Sequence, residues 1–261
     1  MEILSLDIEG KFAHFRKFHG NNTAMSYSIP PRTTIIGMLA AILGESKDSY
    51  YESFRNKDLK IGIRVLSDLK KTFHRLNYLK ITGSNDFSGK NGRIQTPFEV
   101  ITAHDLKSGM VKYRFYISPG ENSEVYERLK KALTDGDRQF NLSLGIAGFS
   151  AFISKVGIQA ATKLTGDSGW LLIHSACNSD DVSEIDFPKD AEFRFNHIEE
   201  ELLPADFIGG EKGREVYRMN RVLFATKNFP MQVILSGNYY QLVSDESIEN
   251  FQFLEYAGVF T

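Results

Sequence analysis

The chain of 261 residues carries 33 acidic residues against 31 lysines and arginines, and its formal net charge of −2 excludes a uniformly basic nucleic-acid-binding coat. Its single cysteine, Cys177, excludes an internal disulfide and a cysteine-based zinc site, and is typical of a reducing compartment. The first residues lack the bases of a signal peptide and no apolar run approaches about 18 residues, so we expect a cytoplasmic protein without a membrane span.

The predicted elements begin with a strand and a buried helix. Residues 2–8, EILSLDI, alternate imperfectly between apolar and polar and predict a strand with one buried face. Ile29 precedes a proline, which favours extended backbone, and Pro31 suits the first turn of a helix. The helix continues through RTTIIGMLAAIL, and Gly44 can cap its end. Because this helix is apolar nearly all round, we expect it to pack against a sheet.

A long hairpin is the next predicted feature, after a strand at residues 60–66. Residues 72–82 and 93–102 are rich in β-formers and flank GSNDFSGKNG, a tract of small and polar residues. Further along, residues 110–118 predict a strand and residues 121–136 predict a helix closed by glycine. A strand, a glycine turn and another apolar segment follow.

This order of elements indicates an α+β fold. The order matches a ferredoxin-like or RNA-recognition-motif-like domain with an inserted hairpin, or thumb. It runs strand, helix, strand, hairpin, strand, helix and strand. We therefore predict a ferredoxin-like domain over residues 1–164, with the thumb at about 70–105. Residues 165–261 contain several antiparallel-looking strands and form a predicted β-rich C-terminal region.

Charge is unevenly distributed along the chain. Residues 70–97 hold six bases and one acid, whereas residues 178–206 hold ten acids and two bases. Residues 11–44 contain no Asp or Glu at all. Both charged segments can be ordinary solvated surface; alternatively, the basic part faces a polyanion.

Motifs for small-molecule chemistry are lacking in the sequence. Neither GIAGFS nor GGEKGR fits a nucleotide-binding loop, the six histidines have no metalloprotease spacing, and no serine-hydrolase elbow is present. We therefore predict no cofactor, no metal and no catalytic residues. Gly145 and Gly148 either form a tight turn or allow the close approach of another backbone, from protein or RNA.

The segment KFAHFRKFHGNN interleaves bases with aromatics. Such interleaving can neutralise phosphates and offer rings on which unstacked bases lie, although the phenylalanines can equally be core residues. KYRFY at residues 112–116 also resembles a strand of an RNA-recognition motif. The sequence therefore favours RNA as the polyanion.

The acid-free stretch resembles the N-terminal signature of a RAMP-superfamily subunit, the one that caps the crRNA 5′ handle in type I CRISPR Cascade. The matching residues are Phe15-Arg16-Lys17, Tyr27, Ile29-Pro30-Pro31-Arg32-Thr33, Ile36-Gly37 and Gly44. The resemblance continues more loosely through KYRFYI, LGIAGFSAFISKVG and ELLPADF, and its details are most similar to subtype I-B.

The resemblance implies a ferredoxin-like domain with a thumb that grips the crRNA handle and separates it from the spacer. Implied partners are the crRNA 5′ handle, the Cascade backbone subunits and large subunit, and target DNA indirectly. Arg32 either contacts RNA or caps structure at the helix start. The residues predicted to bind RNA are Arg16, Lys17, His19, Tyr27, Arg32, Arg75, Lys80, Arg93, Gly145 and Gly148.

The resemblance also raises the question of catalysis. In subtype I-C the family member cleaves precursor RNA without metal, using a tyrosine and a Lys-His pair, and this sequence has no Lys-His dipeptide. His104 with Tyr113, or His14 with Lys17, would have to substitute. We therefore predict a non-catalytic scaffold. An endoribonuclease, or a protein-binding module that docks a basic partner on its acidic segment, remain the alternatives.

Overall fold

The computed structural model describes residues 1–18, 23–167, 169–186, 197–210, 213–244 and 247–254. Most of the regular structure is β, with two α-helices and two short 3-10 helices at Ser84–Ser88 and Ser179–Asp181. The strands and helices in chain order are β1 Glu2–Gly10, β2 Phe15–Arg16, β3 Ser26–Tyr27, α1 Arg32–Leu43, β4 Leu59–Val65, β5 Leu69–Leu79, β6 Arg93–Ala103, β7 Val111–Pro119, α2 Glu124–Asp135, β8 Leu142–Ser143, β9 Ser150–Thr165, β10 Trp170–Ile173, β11 Cys177–Asn178, β12 Val182–Asp186, β13 Ile198–Gly210, β14 Gly213–Ala225, β15 Met231–Leu235, β16 Asn238–Val243 and β17 Ile248–Phe251.

The main sheet is antiparallel, with the strand order β17-β16-β9-β1-β7-β4. Its central strand, β1, places Leu4, Leu6 and Ile8 in the largest hydrophobic core, together with the buried faces of α1 and α2. The predicted α+β, β-rich class is confirmed, as is the predicted order of elements in the first half.

Helix α1 ends as predicted, where Gly44 closes it in the left-handed region at φ 75°. Pro31 was expected in its first turn but precedes it with φ −55° and ψ 153°, so the helix begins at Arg32. The helix is buried on nearly every side, as its apolar sequence predicts. No helix in the described part of the chain is long and apolar enough to cross a membrane.

The predicted hairpin is formed by β5 and β6, which pair without a break from Leu69 opposite Ala103 to Leu79 opposite Arg93. Its first arm begins three residues earlier than the predicted 72–82. The tip is ordered by Asp86, whose carboxylate accepts the N–H groups of Thr82 and Gly83 at 2.6 and 2.9 Å.

The C-terminal region contributes two three-stranded sheets, β10-β15-β12 and β11-β14-β13, and also completes the main sheet through β16 and β17. The two ends of the main sheet approach each other, since the Leu254 N–H donates to the Ile61 carbonyl at 2.9 Å. The predicted strand at residues 192–198 lies largely outside the described residues. The division at 164/165 stays a prediction.

Candidate nucleic-acid interface

A cleft of about 530 Å³ opens along one face of α1. Gly37 and Ala41 of α1 form part of its floor, while segment 14–18 and the turn at residues 143–146 form walls. Another wall comes from the β13–β14 hairpin through Phe207 and Arg214. Arg16 and Arg214 line the cleft, and no Asp or Glu does so among the described residues. The cleft therefore has a positive potential that suits an anionic ligand.

Arg16 occupies a central position in this candidate interface. It lies in β2, is exposed, and has no carboxylate partner in the part of the chain that the structure describes. It also borders a second cleft, which the hairpin residues Tyr78, Thr96 and Phe98 help to line. A predicted RNA-binding cation is therefore accessible between two grooves.

Lys17 does have an acidic partner, contrary to the sequence-based expectation. Its Nζ lies 2.7 Å from Glu201 Oε1, and Lys71 Nζ lies 3.5 Å from the same oxygen. Glu201 is buried on β13 and also accepts the N–H of Ser28 at 3.1 Å. The acidic segment thus neutralises cations of the N-terminal part, and Lys17 is less available to phosphates than the sequence indicated.

The prediction that Arg32 contacts RNA needs correction. Its guanidinium is buried, with Nη1 2.5 Å from Asp206 Oδ1. Nη2 donates to the carbonyls of Phe54 and Leu59, each at 2.8 Å. Arg32 therefore joins the start of α1 to β13, to Phe54 and to the first residue of β4, which agrees with the alternative that Arg32 caps structure at the helix start.

Tyr27 lines the cleft but is buried, with a ring centroid 5.1 Å from Lys17 Nζ. Its hydroxyl has no hydrogen-bond partner within the described residues. Burial, aided by the negative charge of Glu201, raises the pKa of Tyr27 to about 12. The phenol consequently stays protonated at neutral pH and can donate a hydrogen bond.

The predicted hairpin cations are all exposed, but they are not brought to Arg16. Arg75 and Arg93 lie on one face of the hairpin, because side chains alternate between faces along each strand. By the same alternation, Tyr78 and Phe98, which border the second cleft, lie on the opposite face. Lys80 follows the end of β5. Arg75 and Arg93 therefore share a basic face of the hairpin, apart from the face that borders the second cleft.

The two glycines of the predicted loop differ in what they require. Gly145 has φ +96°, and a Cβ there would lie 1.9 Å from the His14 carbonyl oxygen. The backbone that approaches Gly145 is therefore the protein's own, which agrees with the close-approach alternative in its protein form. Gly148 is exposed and faces open space, where a Cβ would meet nothing within 4 Å. His19 lies outside the described residues.

Neither substitute catalytic pair is supported by the geometry. The Tyr113 hydroxyl is fully buried and donates to the Ser28 carbonyl at 2.7 Å, whereas His104 is exposed. His14 is buried, with Nδ1 2.7 Å from the Glu99 carbonyl oxygen, and burial lowers its pKa. In the described part of the chain, no group of three or more His, Cys, Asp or Glu residues could hold a metal ion.

Arg214 is the cation of the candidate interface that sequence reasoning missed. Its guanidinium carbon lies 5.0 Å from the centroid of the Phe207 ring, which holds the arginine at the edge of the cleft. In the sequence, Arg214 ends the glycine-rich tract GGEKGR, which is a weak signal for a residue that contacts a ligand. The fold is needed to bring Arg214 of β14 to the cleft that Arg16 lines.

Comparisons with known proteins agree with this architecture. A family model described as "CRISPR-associated protein (Cas_Cas5)" matches residues 3–168. A CRISPR protein from Archaeoglobus fulgidus is 13% identical, with a TM-score of 0.58 over 97% of this chain and 100% of that chain. A chain of a CRISPR RNA-guided surveillance complex is 13% identical, with a TM-score of 0.52 over 88% of this chain and 90% of that chain. A comparison with curated proteins gave no match.

Proposed function

Since this chain belongs to the CRISPR-associated Cas5 family, we propose that it is a non-catalytic crRNA-binding subunit of a type I Cascade surveillance complex. The observation that carries the proposal is the cleft beside α1, lined by Arg16 and Arg214 and by no carboxylate among the described residues. The fold shared with a chain of an RNA-guided surveillance complex supports it. In this role the protein grips the 5′ handle of crRNA and supports antiviral DNA targeting.

Binding is driven by neutralisation of RNA phosphates. Each cation that meets a phosphate releases condensed counterions, so affinity falls as salt rises, by about 0.7 logarithmic units per phosphate and per tenfold salt for single strands. The exposed ring of Phe18, at the edge of the cleft, offers a surface on which an unstacked base can lie. A carboxylate in the loop before α1 would oppose both effects, which accounts for part of the acid-free stretch.

The architecture supports the finer fold assignment that we propose. The strand order β9-β1-β7-β4 with two helices on one face matches a ferredoxin-like domain, and the β5–β6 hairpin is its thumb. The exposed cations Arg75, Lys80 and Arg93 on the thumb would meet the RNA backbone where handle and spacer separate. We also propose residues 1–164 and 165–261 as the two regions, and subtype I-B as the type of complex.

The remaining proposals concern the surroundings of the protein. We propose that it acts in the cytoplasm, beside the Cascade backbone subunits and the large subunit, and that it meets target DNA only indirectly. The hairpin, with Phe73 and Phe87 exposed at 59% and 70%, offers an apolar surface for such neighbours.

The test is to purify the tagged protein from its host and sequence the RNA that accompanies it. We expect short RNAs that share one repeat-derived 5′ end, and their loss in an Arg16→Glu variant. The control, Lys131→Glu, makes the same charge change on the exposed side of α2 and should retain the RNA. Recovery of no RNA, or of RNA with random 5′ ends, would favour the protein-binding alternative. Lys17 is left intact because its ion pair holds β13 in place.

A further inference from the structure

The first turn of α1 faces the cleft without a capping side chain. Pro31 offers no side-chain acceptor, and the first turn contains no acidic residue. The N–H of Thr33 has no acceptor in the described part of the chain, and Thr33 and Thr34 both line the cleft. A 12-residue helix carries partial positive charge at such a terminus, where unpaired N–H groups favour an anion.

A second observation independently points to a ligand at this place. The Tyr27 side chain lines the same cleft and is only 2% exposed, yet its hydroxyl is without a partner among the described residues. A buried hydroxyl with no partner destabilises the free protein, and a ligand that accepts a hydrogen bond from it would remove that cost. The hydroxyl thus adds a third kind of donor to the cleft, beside the Thr33 N–H and the guanidinium groups.

Opposing arginines complete the arrangement. Arg16 comes from β2 in the N-terminal part, and Arg214 comes from β14 in the C-terminal region. Arginine presents several N–H donors in a planar fork that matches phosphate oxygens. Because the cleft draws donors from both parts of the chain, a ligand there would contact both at once.

From this geometry we propose that one phosphate of the bound RNA sits at the N-terminus of α1, held by the Thr33 N–H, the Tyr27 hydroxyl, Arg16 and Arg214. The inference rests on the proposed function and specifies where in the interface the RNA backbone is fixed. It assigns an RNA-binding role to Arg214, and gives Tyr27 its contact with RNA through the hydroxyl alone.

Three variants test the site, with fluorescein-labelled single-stranded RNA of the recovered repeat-derived sequence as the probe. Thr34→Asp places a carboxylate where the helix favours it and where the phosphate would lie, so thermal stability should hold or rise while affinity falls at least about tenfold. Tyr27→Phe should likewise keep or gain stability and lose affinity. Arg214→Gln should reduce the salt slope by about 0.7. The control, Arg221→Gln, removes an exposed arginine of β14 that pairs with Glu200, and should bind as the parent does.

The outcomes separate this site from the proposed function. Weaker binding by all three variants, with normal melting temperatures and an unaffected control, supports the phosphate site. If Thr34→Asp and Arg214→Gln bind RNA like the parent while Arg16→Glu does not, the phosphate site is refuted and the RNA-binding function stands. If the parent protein carries no RNA, the function fails and the site fails with it. Should Thr34→Asp not fold, Tyr27→Phe decides.

Discussion

Replacing Arg32 by methionine tests the structural role that the fold gives it. Met keeps much of the apolar volume but removes the guanidinium that lies 2.5 Å from Asp206 and that donates to the carbonyls of Phe54 and Leu59. Loss of one partner of a buried ion pair costs about 3–5 kcal/mol. For a chain of this size, each kcal/mol lowers the melting temperature by about 2–4 °C, so we expect a decrease of about 6–20 °C.

The assay is thermal unfolding followed by circular dichroism, with RNA binding measured on the folded protein. Arg55→Met is the matched control, because Arg55 makes an equally short but largely exposed pair with Glu52 and should cost less than about 1 kcal/mol. The double variant Arg32→Met/Asp206→Leu should regain part of the lost stability, since it removes both members of the buried pair. If Arg32→Met melts like the parent but binds RNA about tenfold more weakly, the guanidinium serves RNA and our correction is refuted.

Three further results are expected. Gly145→Ala should strongly destabilise the protein, because its Cβ would collide with the His14 backbone at a positive φ. Gly148→Ala should leave the melting temperature unchanged. Equal effects of the two substitutions would contradict the close contact between residue 145 and His14. Gly37→Leu should narrow the cleft at its floor and weaken RNA binding without changing the charge of the protein. Fluorescence anisotropy titration measures the affinity, and an unaltered affinity would place the RNA outside this cleft. Burial opposes ionisation of Glu249, but Arg64, Arg114 and the Tyr116 hydroxyl outweigh it and lower the pKa of Glu249 below 4.5. Ionised Glu249 should therefore stabilise the protein above about pH 4.5, and this stabilisation should be lost as the pH falls through the lower pKa of the folded state. In Glu249→Gln, the free energy of unfolding from urea curves should depend less on pH in this acid range.

Local backbone signals made much of the fold predictable. Pro31 and Gly44 mark the ends of α1, and the glycine-rich tract between two β-forming arms marks the hairpin. Each signal depends on a residue's own φ preference or on periodicity over a few residues. These features therefore need no knowledge of the rest of the chain.

The site was less predictable because its charged residues pair with residues that are far away in the sequence. Lys17 and Glu201 are separated by 184 positions, so the sequence suggested a free cation where the fold makes an ion pair. Arg214 was overlooked for the same reason, since the packing of β13 against α1 and the pairing of β14 with β13 bring it to the cleft. Composition showed that acidic and basic segments exist, but not which carboxylate meets which cation.

The pairing of Arg32 with Asp206 also bears on how the chain folds during synthesis. The two residues are 174 positions apart, so the N-terminal part leaves the ribosome before the carboxylate that neutralises its arginine has been made. Contacts of such high sequence separation form late and slow the folding of a domain. A fragment that ends at residue 164 would keep that arginine without its counterion permanently. Attempts to produce the N-terminal part alone should therefore replace Arg32 and Lys17 by neutral side chains, since strand β13 completes the folding of a region synthesised long before it.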